Sequence, residues 1–406
     1  MWRNCSRHLS SRHEKVQSVS FRIKVQSRRR FSTSPAQSDK QFNILFLGHD
    51  EFSCLVLREL YAAQDVWKQL DLVTNPDKWV GRRSSRLAVS PLKLLGESLK
   101  LPIHLIPHEK SDFKHWMPPL LYSEPPGPGS PQNVIITASF GRILPFRILK
   151  LFPENNRLNV HPSLLPAYRG GAPLHYAILN DEKETGVCVV QMLKRSEGID
   201  TGPIWGSRKM PLPADITTPE LGRTLAVEGG QLLVSVLRDM ISGTAKSVPQ
   251  PKDAVAPTAP LISYRDSLID FTSMTAPEIV RRHRAISHQR PLTAFLQSIK
   301  TLQVHSPSVV KSPPIFAPTI PGRARFSKPD NSLLIRCAGD TVLNVPRVKQ
   351  EGKALLNARD WWNGAKSLGL VQNNEISFDS PNDVELYPEV EVRYFFLIGP
   401  LFFASA

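Results

Sequence analysis

Cysteine is scarce in this sequence: over 406 residues only Cys5, Cys54, Cys188 and Cys337 occur, far apart and without a CxxC pair or a Cys/His cluster. Such spacing suggests neither a zinc site nor a disulfide framework, and no metal is expected. Cys54 and Cys188 sit in apolar patterns, where a small buried thiol is the ordinary role. Long apolar runs are also missing. None reaches the roughly 18 to 20 residues that a membrane-spanning helix needs, so a soluble chain with no membrane partner is expected. The first apolar run, Phe42 to Gly48, is not followed by GxGxxG, which disfavours a dinucleotide cofactor.

Acid is nearly absent from the start of the chain. Residues 1–30 carry nine Arg or Lys against one acid, Glu14, and so hold about half of the formal surplus of +15. The segment is Ser-rich and ends in RRRFSTS, a composition that fits a mitochondrial presequence over residues 1–40 and a destination in the mitochondrial matrix. A disordered basic tail that binds nucleic acid shares the basicity but not the acid depletion. The rest of the chain keeps a moderate positive surplus, which fits an anionic partner.

The remaining length suits two domains. FNILFLG (Phe42–Gly48) is a short apolar run that ends in glycine and leads into the helical pattern FSCLVLRELYAA, as when a buried first strand hands over to a helix. LDLVTN, LPIHLI, NVIITAS, LNVH and VCVVQM are further strand candidates, most of them separated by helical stretches such as SPLKLLGESLK. An α/β fold with an open, largely parallel sheet is expected over residues 41–247. TTPELGRTLAVEGGQLLVSVLRDMISG reads as a closing helix capped by Thr218, with Pro219 at its first position and Gly243 near its end. Residues 248–270 turn Pro- and Ala-rich, lose any apolar period and read as a linker. Over 271–366 a short basic helix capped by Thr275 precedes strand-like segments spaced for a small β-barrel. Residues 367–406 change character again and form a tail without a functional account.

The most informative stretch is LNVHPSLLPAYRGGAPLH, Leu158–His175, with EGIDTG at Glu197–Gly202. In a strand reading, Asn159 and His161 point to one face and Val160 to the core. At the C-terminal end of a strand both would stand where open α/β sheets bind ligands. Asp200 comes from a Gly-flanked turn. An imidazole gives or takes a proton at neutral pH, a carboxylate holds its tautomer, and an amide donates to a developing oxyanion, which together suit acyl transfer to an amine. Singly the residues say less: a lone histidine is more often structural, and Asp before Thr-Gly makes an Asx-turn.

The combined string, Asn159, His161, Ser163, Leu164, Leu165, Pro166, Arg169, Gly170 and Asp200, resembles the folate-dependent formyltransferases, and above all their mitochondrial branch that acts on methionyl-tRNA. The resemblance runs from about Phe42 to Trp362 and includes FLGHDEFS, NPDKWVGRRSSRLAVSPLK, ASFGRILP and ETGVCVVQM. It implies a Rossmann-like formyltransferase fold with a smaller, oligonucleotide-binding-like C-terminal barrel. It further implies 10-formyltetrahydrofolate as co-substrate, a catalytic set of Asn159, His161 and Asp200, and a folate pocket shaped by Ser163, Leu164, Leu165, Pro166, Phe140, Gly141 and Ile143. Contacts to tRNA fall to Arg82, Arg83 and Arg86 of a basic loop and to Arg169, with scattered support from Arg281, Arg282, Arg284, Arg336, Arg347, Lys349 and Lys353. His175 reads as a packing or surface residue, and the protein as a monomer that formylates initiator methionyl-tRNA for mitochondrial translation.

The sequence departs from that pattern at His49 and Asp50, where Thr and Pro are usual, in PPGPGSP at Pro125–Pro131, and after about Ser367. A formyl-tetrahydrofolate enzyme or hydrolase acting on a small substrate shares the motif but needs neither the arginine loop nor a basic second domain. A non-catalytic RNA-binding assembly factor predicts loss of at least one of the three site residues, and all three are present.

Overall fold

The computed structural model describes residues 40–80, 85–123, 132–251, 255–296 and 300–381. The presequence reading of residues 1–39, Arg82, Arg83, Pro125–Pro131 and residues 382–406 lie outside them.

Seven strands form the first sheet: β1 (Phe42–Gly48), β2 (Trp67–Thr74), β5 (Ile103–Leu105), β6 (Asn133–Ala138), β7 (Arg157–His161), β8 (Glu184–Gln191) and β9 (Ile204–Pro211). Their order is β5-β2-β1-β6-β7-β8-β9. The first five pair in parallel and the last two antiparallel, so the expected parallel sheet ends in an antiparallel edge. Every residue of β1 is buried, as an unbroken apolar run in a two-sided sheet requires. The short β3 (Lys78–Val80) and β4 (Arg86–Ala88) pair as a separate hairpin.

Helix α1 (Glu51–Ala62) is capped by Asp50, whose carboxylate accepts from Ser53 N at 3.1 Å. Helix α2 (Pro91–Leu99) packs beside it, and α3 (Pro173–Leu179) follows the RGG turn. The long α4 (Thr218–Ser242) begins one residue earlier than the sequence reading, with Thr217 and Glu220 forming a capping box. Thr218 is not the cap because its hydroxyl donates instead to Ala285 O, 2.7 Å away in the second unit. Mid-helix, a Cβ on Gly229 would stand 2.7 Å from Val160, and one on Gly230 2.7 Å from Glu59. The pair costs helix propensity, about 1 kcal/mol each relative to Ala, but lets α4 lie directly against β7 and α1.

The second unit is a barrel-like, antiparallel, nine-stranded sheet preceded by α5 (Ala276–Ile286), where Thr275 and Glu278 form another capping box. Its strands are β10 (Leu292–Leu296), β11 (Lys300–His305), β12 (Ser308–Val309), β13 (Arg323–Ser327), β14 (Ser332–Arg336), β15 (Val342–Val345), β16 (Arg347–Gln350), β17 (Leu355–Asn357) and β18 (Ile376–Asp379), with α6 (Ala358–Ser367) between the last two. Strand β18 is inserted between β13 and β10. The part of the tail that reaches Asp379 is thus integral to the sheet: Ile376 and Phe378 are buried, and four residues are too short a run to stand out in the sequence.

The segment read as a linker is pinned to the first unit. Ile204 and Val248 exchange backbone hydrogen bonds, Tyr168 N donates to Pro257 O, and Ala259 N donates to Arg169 O. These are main-chain contacts, which leave no apolar period behind. Two arginines of α5 hold the units together, Arg281 Nε donating to Leu179 O at the end of α3 and Arg284 to Ile216 O, while Arg282 donates to Asp266 O in the joining segment. Arg336 likewise donates to the Pro318 and Asp340 carbonyls. Half or more of the basic residues expected to face tRNA from this unit are thus engaged with the protein's own backbone.

Candidate active site

Strand β1 has β2 on one side and β6 on the other, so the winding of the sheet reverses between β1 and β6, and the crevice at their C-terminal ends is the expected ligand position. Asp50 closes one wall of it. Its carboxylate, at the N-terminus of α1, accepts from Ser139 Oγ beyond β6. Burial pushes the Asp50 carboxyl up from the ordinary carboxylate range, against the lowering effect of that hydrogen bond.

The next strand, β7, delivers the motif residues. Val160 is buried against α4 while Asn159 and His161 flank it on the opposite face. Asn159 Oδ1 accepts from Thr137 Oγ1 at 2.7 Å, and Asn159 Nδ2 donates to Asp200 Oδ1 at 3.1 Å. Thr137 therefore fixes which way the amide faces, and one Nδ2 proton remains beyond the one given to Asp200. His161 is buried, and its Nε2 lies 2.9 Å from Tyr168 O. A carbonyl only accepts, so Nε2 carries a proton. Nδ1 then faces Asp200 Oδ2 at 3.6 Å, a contact that becomes an ion pair when Nδ1 is protonated. At that length Nδ1 is not committed to the carboxylate and can serve a substrate atom.

Asp200 sits at φ 57° in its turn. Its Oδ2 also accepts from Gly170 N at 3.2 Å. Gly170, at φ +119°, tolerates no side chain: a Cβ there would stand 2.6 Å from Ala259 O. Tyr168, whose carbonyl holds His161, is itself held by hydrogen bonds from its hydroxyl to Glu182 and from Asn180, and burial pushes its phenol up to about 12. Asn159, His161 and Asp200 are thus brought together.

The other residues singled out in the sequence divide. Ser163 is buried, its Oγ donating to Ala167 O at 2.7 Å to close the SLLP turn. Leu165 packs with Cys188 and Val190, and Phe140 with the cluster that includes Phe113. Leu164 lies over Gly186, and Pro166 is half-buried. Gly141, at φ +75°, has open space around it, and Ile143 is exposed. Arg86 lies on the exposed β4. Arg169 turns inward, giving Nε and one terminal nitrogen to Gln250 Oε1 at 3.1 and 2.6 Å. His175 stacks on His288 with ring centroids 5.2 Å apart. Thr137, Tyr168 and Gln250 escaped the sequence reading. Only Thr137, next to the last residue of an apolar strand, left a signal there.

Residues 42–237 match the family described as formyl transferase, and residues 261–366 match the formyl transferase C-terminal domain. A methionyl-tRNA formyltransferase from Halalkalibacterium halodurans is 33% identical over 325 residues, covering 80% of this chain and 95% of that protein. The chain belongs to the methionyl-tRNA formyltransferase family. Within that family, the mitochondrial protein of Mus musculus is 31% identical over 335 residues, with 80% of this chain and 78% of the mouse protein covered. Among solved structures, an N-formyltransferase from Helicobacter canadensis in complex with folinic acid and dTDP-3-aminofucose shares the fold, with a TM-score of 0.53 at 16% identity over 75% of this chain and 99% of that one.

Proposed function

We propose that this protein transfers the formyl group of 10-formyltetrahydrofolate to the α-amino group of methionyl-tRNA, supplying formylmethionyl-tRNA for translation initiation in the mitochondrial matrix. The observation that carries the reading is the convergence of Asn159, His161 and Asp200 at the carboxyl end of β7 in a chain of this family. The open turn at Gly141 and Ile143 beside the β1–β6 crevice suits a flat bound ligand such as the folate.

In the transfer, the amine nitrogen bonds to the formyl carbon as the bond from that carbon to the folate nitrogen breaks. The proton lost by the amine is the one the folate nitrogen must gain. His161 Nδ1 is placed to carry it, because Nε2 is tied to Tyr168 O and the ring can exchange a proton only at its other nitrogen. Asp200 Oδ2 faces that nitrogen at 3.6 Å and orients the ring. The second Nδ2 proton of Asn159 is the donor for the charge that develops on the formyl oxygen.

Acceptor contacts fall to Arg82, Arg83 and Arg86 around the β3–β4 hairpin, which stands apart from the main sheet and exposes Trp79 and Leu87. Arg169 serves the site from inside. A mitochondrial address for the acid-poor N-terminus agrees with the mouse relative. The test offers labelled formyl donor to the protein with methionyl-tRNA, uncharged tRNA, a free amine and water as competing acceptors. Label in the methionyl-tRNA fraction alone is the expected result; transfer to the small amine, or release as formate, assigns the chain a different reaction.

A further inference from the structure

The side chain of Gln250 is buried, and its four polar valences are all used. Oε1 accepts two hydrogen bonds from the Arg169 guanidinium, and Nε2 donates to Asp200 O and to Gly202 O, each at 2.8 Å. One amide thus grips the backbone on either side of the turn that presents the Asp200 carboxylate, and ties it to the residue after Tyr168. A few residues on, the same segment supports His161. Pro257 O accepts from Tyr168 N, and the Tyr168 carbonyl accepts from His161 Nε2. Ala259 then adds two backbone hydrogen bonds to the turn, one to Arg169 O and one from Ala172 N.

We infer that Gln250 is a positioning residue for formyl transfer, and that the segment joining the two units is a brace for the catalytic turn rather than a spacer. The inference rests on the function proposed above. Asp200 occupies a left-handed backbone conformation, uncommon for a residue with a side chain, so its turn needs outside support to keep the carboxylate against Asn159 and His161. Its own side-chain contacts, to Asn159 and Gly170, do not hold the peptide planes. Gln250 does, through the Asp200 and Gly202 carbonyls. Glutamine alone among side chains of this length offers two donors and an acceptor in one plane; glutamate keeps the Arg169 contact and loses both donors.

The experiment compares wild-type protein with Gln250→Ala and Gln250→Glu in single-turnover formyl transfer across pH, together with hydrogen exchange of the 198–202 amides. Both variants are expected to lose about tenfold or more in kcat, the scale of a catalytic group displaced by a fraction of an ångström, with KM for the formyl donor little changed. Their pH–rate profiles shift, because the Asp200–His161 pairing is altered, and the turn exchanges faster while the amides of α4 do not. The Glu variant, close in shape to the native residue, carries the test if the Ala variant does not fold. Wild-type kcat and pH profile in the Glu variant, or unchanged exchange at the turn, overturns the inference. Failure of the wild-type protein to formylate methionyl-tRNA would instead sink the proposed function, while the exchange measurement still reports on the clamp.

Discussion

Asn159 Nδ2 and Asp200 Oδ1 stand 3.1 Å apart, joining the end of a parallel strand to a turn that follows 41 residues later. The other carboxylate oxygen accepts from Gly170 N and faces His161. Asp200→Asn puts an NH2 group where an acceptor is needed, against either Asn159 or Gly170, and removes the charge beside the imidazole. Formyl transfer is expected to fall at least about a hundredfold, the scale on which a positioned acid–base group contributes. The circular dichroism spectrum should stay that of a folded protein, since the turn is also held through its backbone.

Thr137 aims the Asn159 amide. Thr137→Val keeps shape and burial but leaves Asn159 Oδ1 without its 2.7 Å partner, so the amide is free to flip. The expected outcome is a drop in kcat and a stability loss of about 1 kcal/mol, the net worth of one partly buried hydrogen bond. Thr137→Ser, which retains the hydroxyl, should restore most of both. Rate assays and urea unfolding of the two variants check this.

Arg284 has a structural partner, Ile216 O at 3.1 Å, across the junction between the units. Arg284→Ala is expected to cost about 1.5–3 kcal/mol in unfolding, as for a hydrogen bond from a charged donor. The salt dependence of methionyl-tRNA binding should not change. A phosphate contact would instead lower the salt slope by about one unit, and measured binding across a salt series separates the two.

Acid should loosen the same junction. Burial pushes His175 down to about 4, with His288 adding to the shift and the Ala172 backbone opposing it, and both His175 ring nitrogens are buried. Burial likewise lowers His283, on α5, to about 4. The unfolded chain binds these protons at its ordinary histidine pKa, the folded chain only near pH 4, so the unfolded state holds more protons between the two. Stability from this source is complete above about pH 6.5 and is lost progressively as pH falls toward 4. Carboxylates held low by hydrogen bonds, such as Glu220 and Glu278, lose their contribution at still lower pH. Tm should therefore decline between pH 7 and 5, and His175→Phe, which keeps the ring stack and binds no proton, should decline less.

How much of this could be read beforehand depended on distance along the chain. Strand alternation and a Gly-flanked turn were enough to single out Asn159, His161 and Asp200, but it was the resemblance of the longer string that joined them into one candidate site. The parallel strands announced themselves as apolar runs; β9, at the sheet edge with alternate residues exposed, did not. Gln250 was invisible because its partners lie 48 to 81 residues away and two of them are backbone carbonyls. A residue type records nothing of a carbonyl's role, and the Tyr168 carbonyl behind His161 was hidden for the same reason. The arginines of α5 carried a charge signal that pointed outward to nucleic acid, whereas their geometry turns them to helix and loop carbonyls within the protein.

The most direct test of the account is the single-turnover rate of formyl transfer from 10-formyltetrahydrofolate to methionyl-tRNA by the wild-type protein and by His161→Ala. Transfer by the wild type is expected, with a loss of at least about a hundredfold in the variant once its proton carrier is gone, folding and tRNA binding being retained. Near-normal transfer by His161→Ala would contradict it.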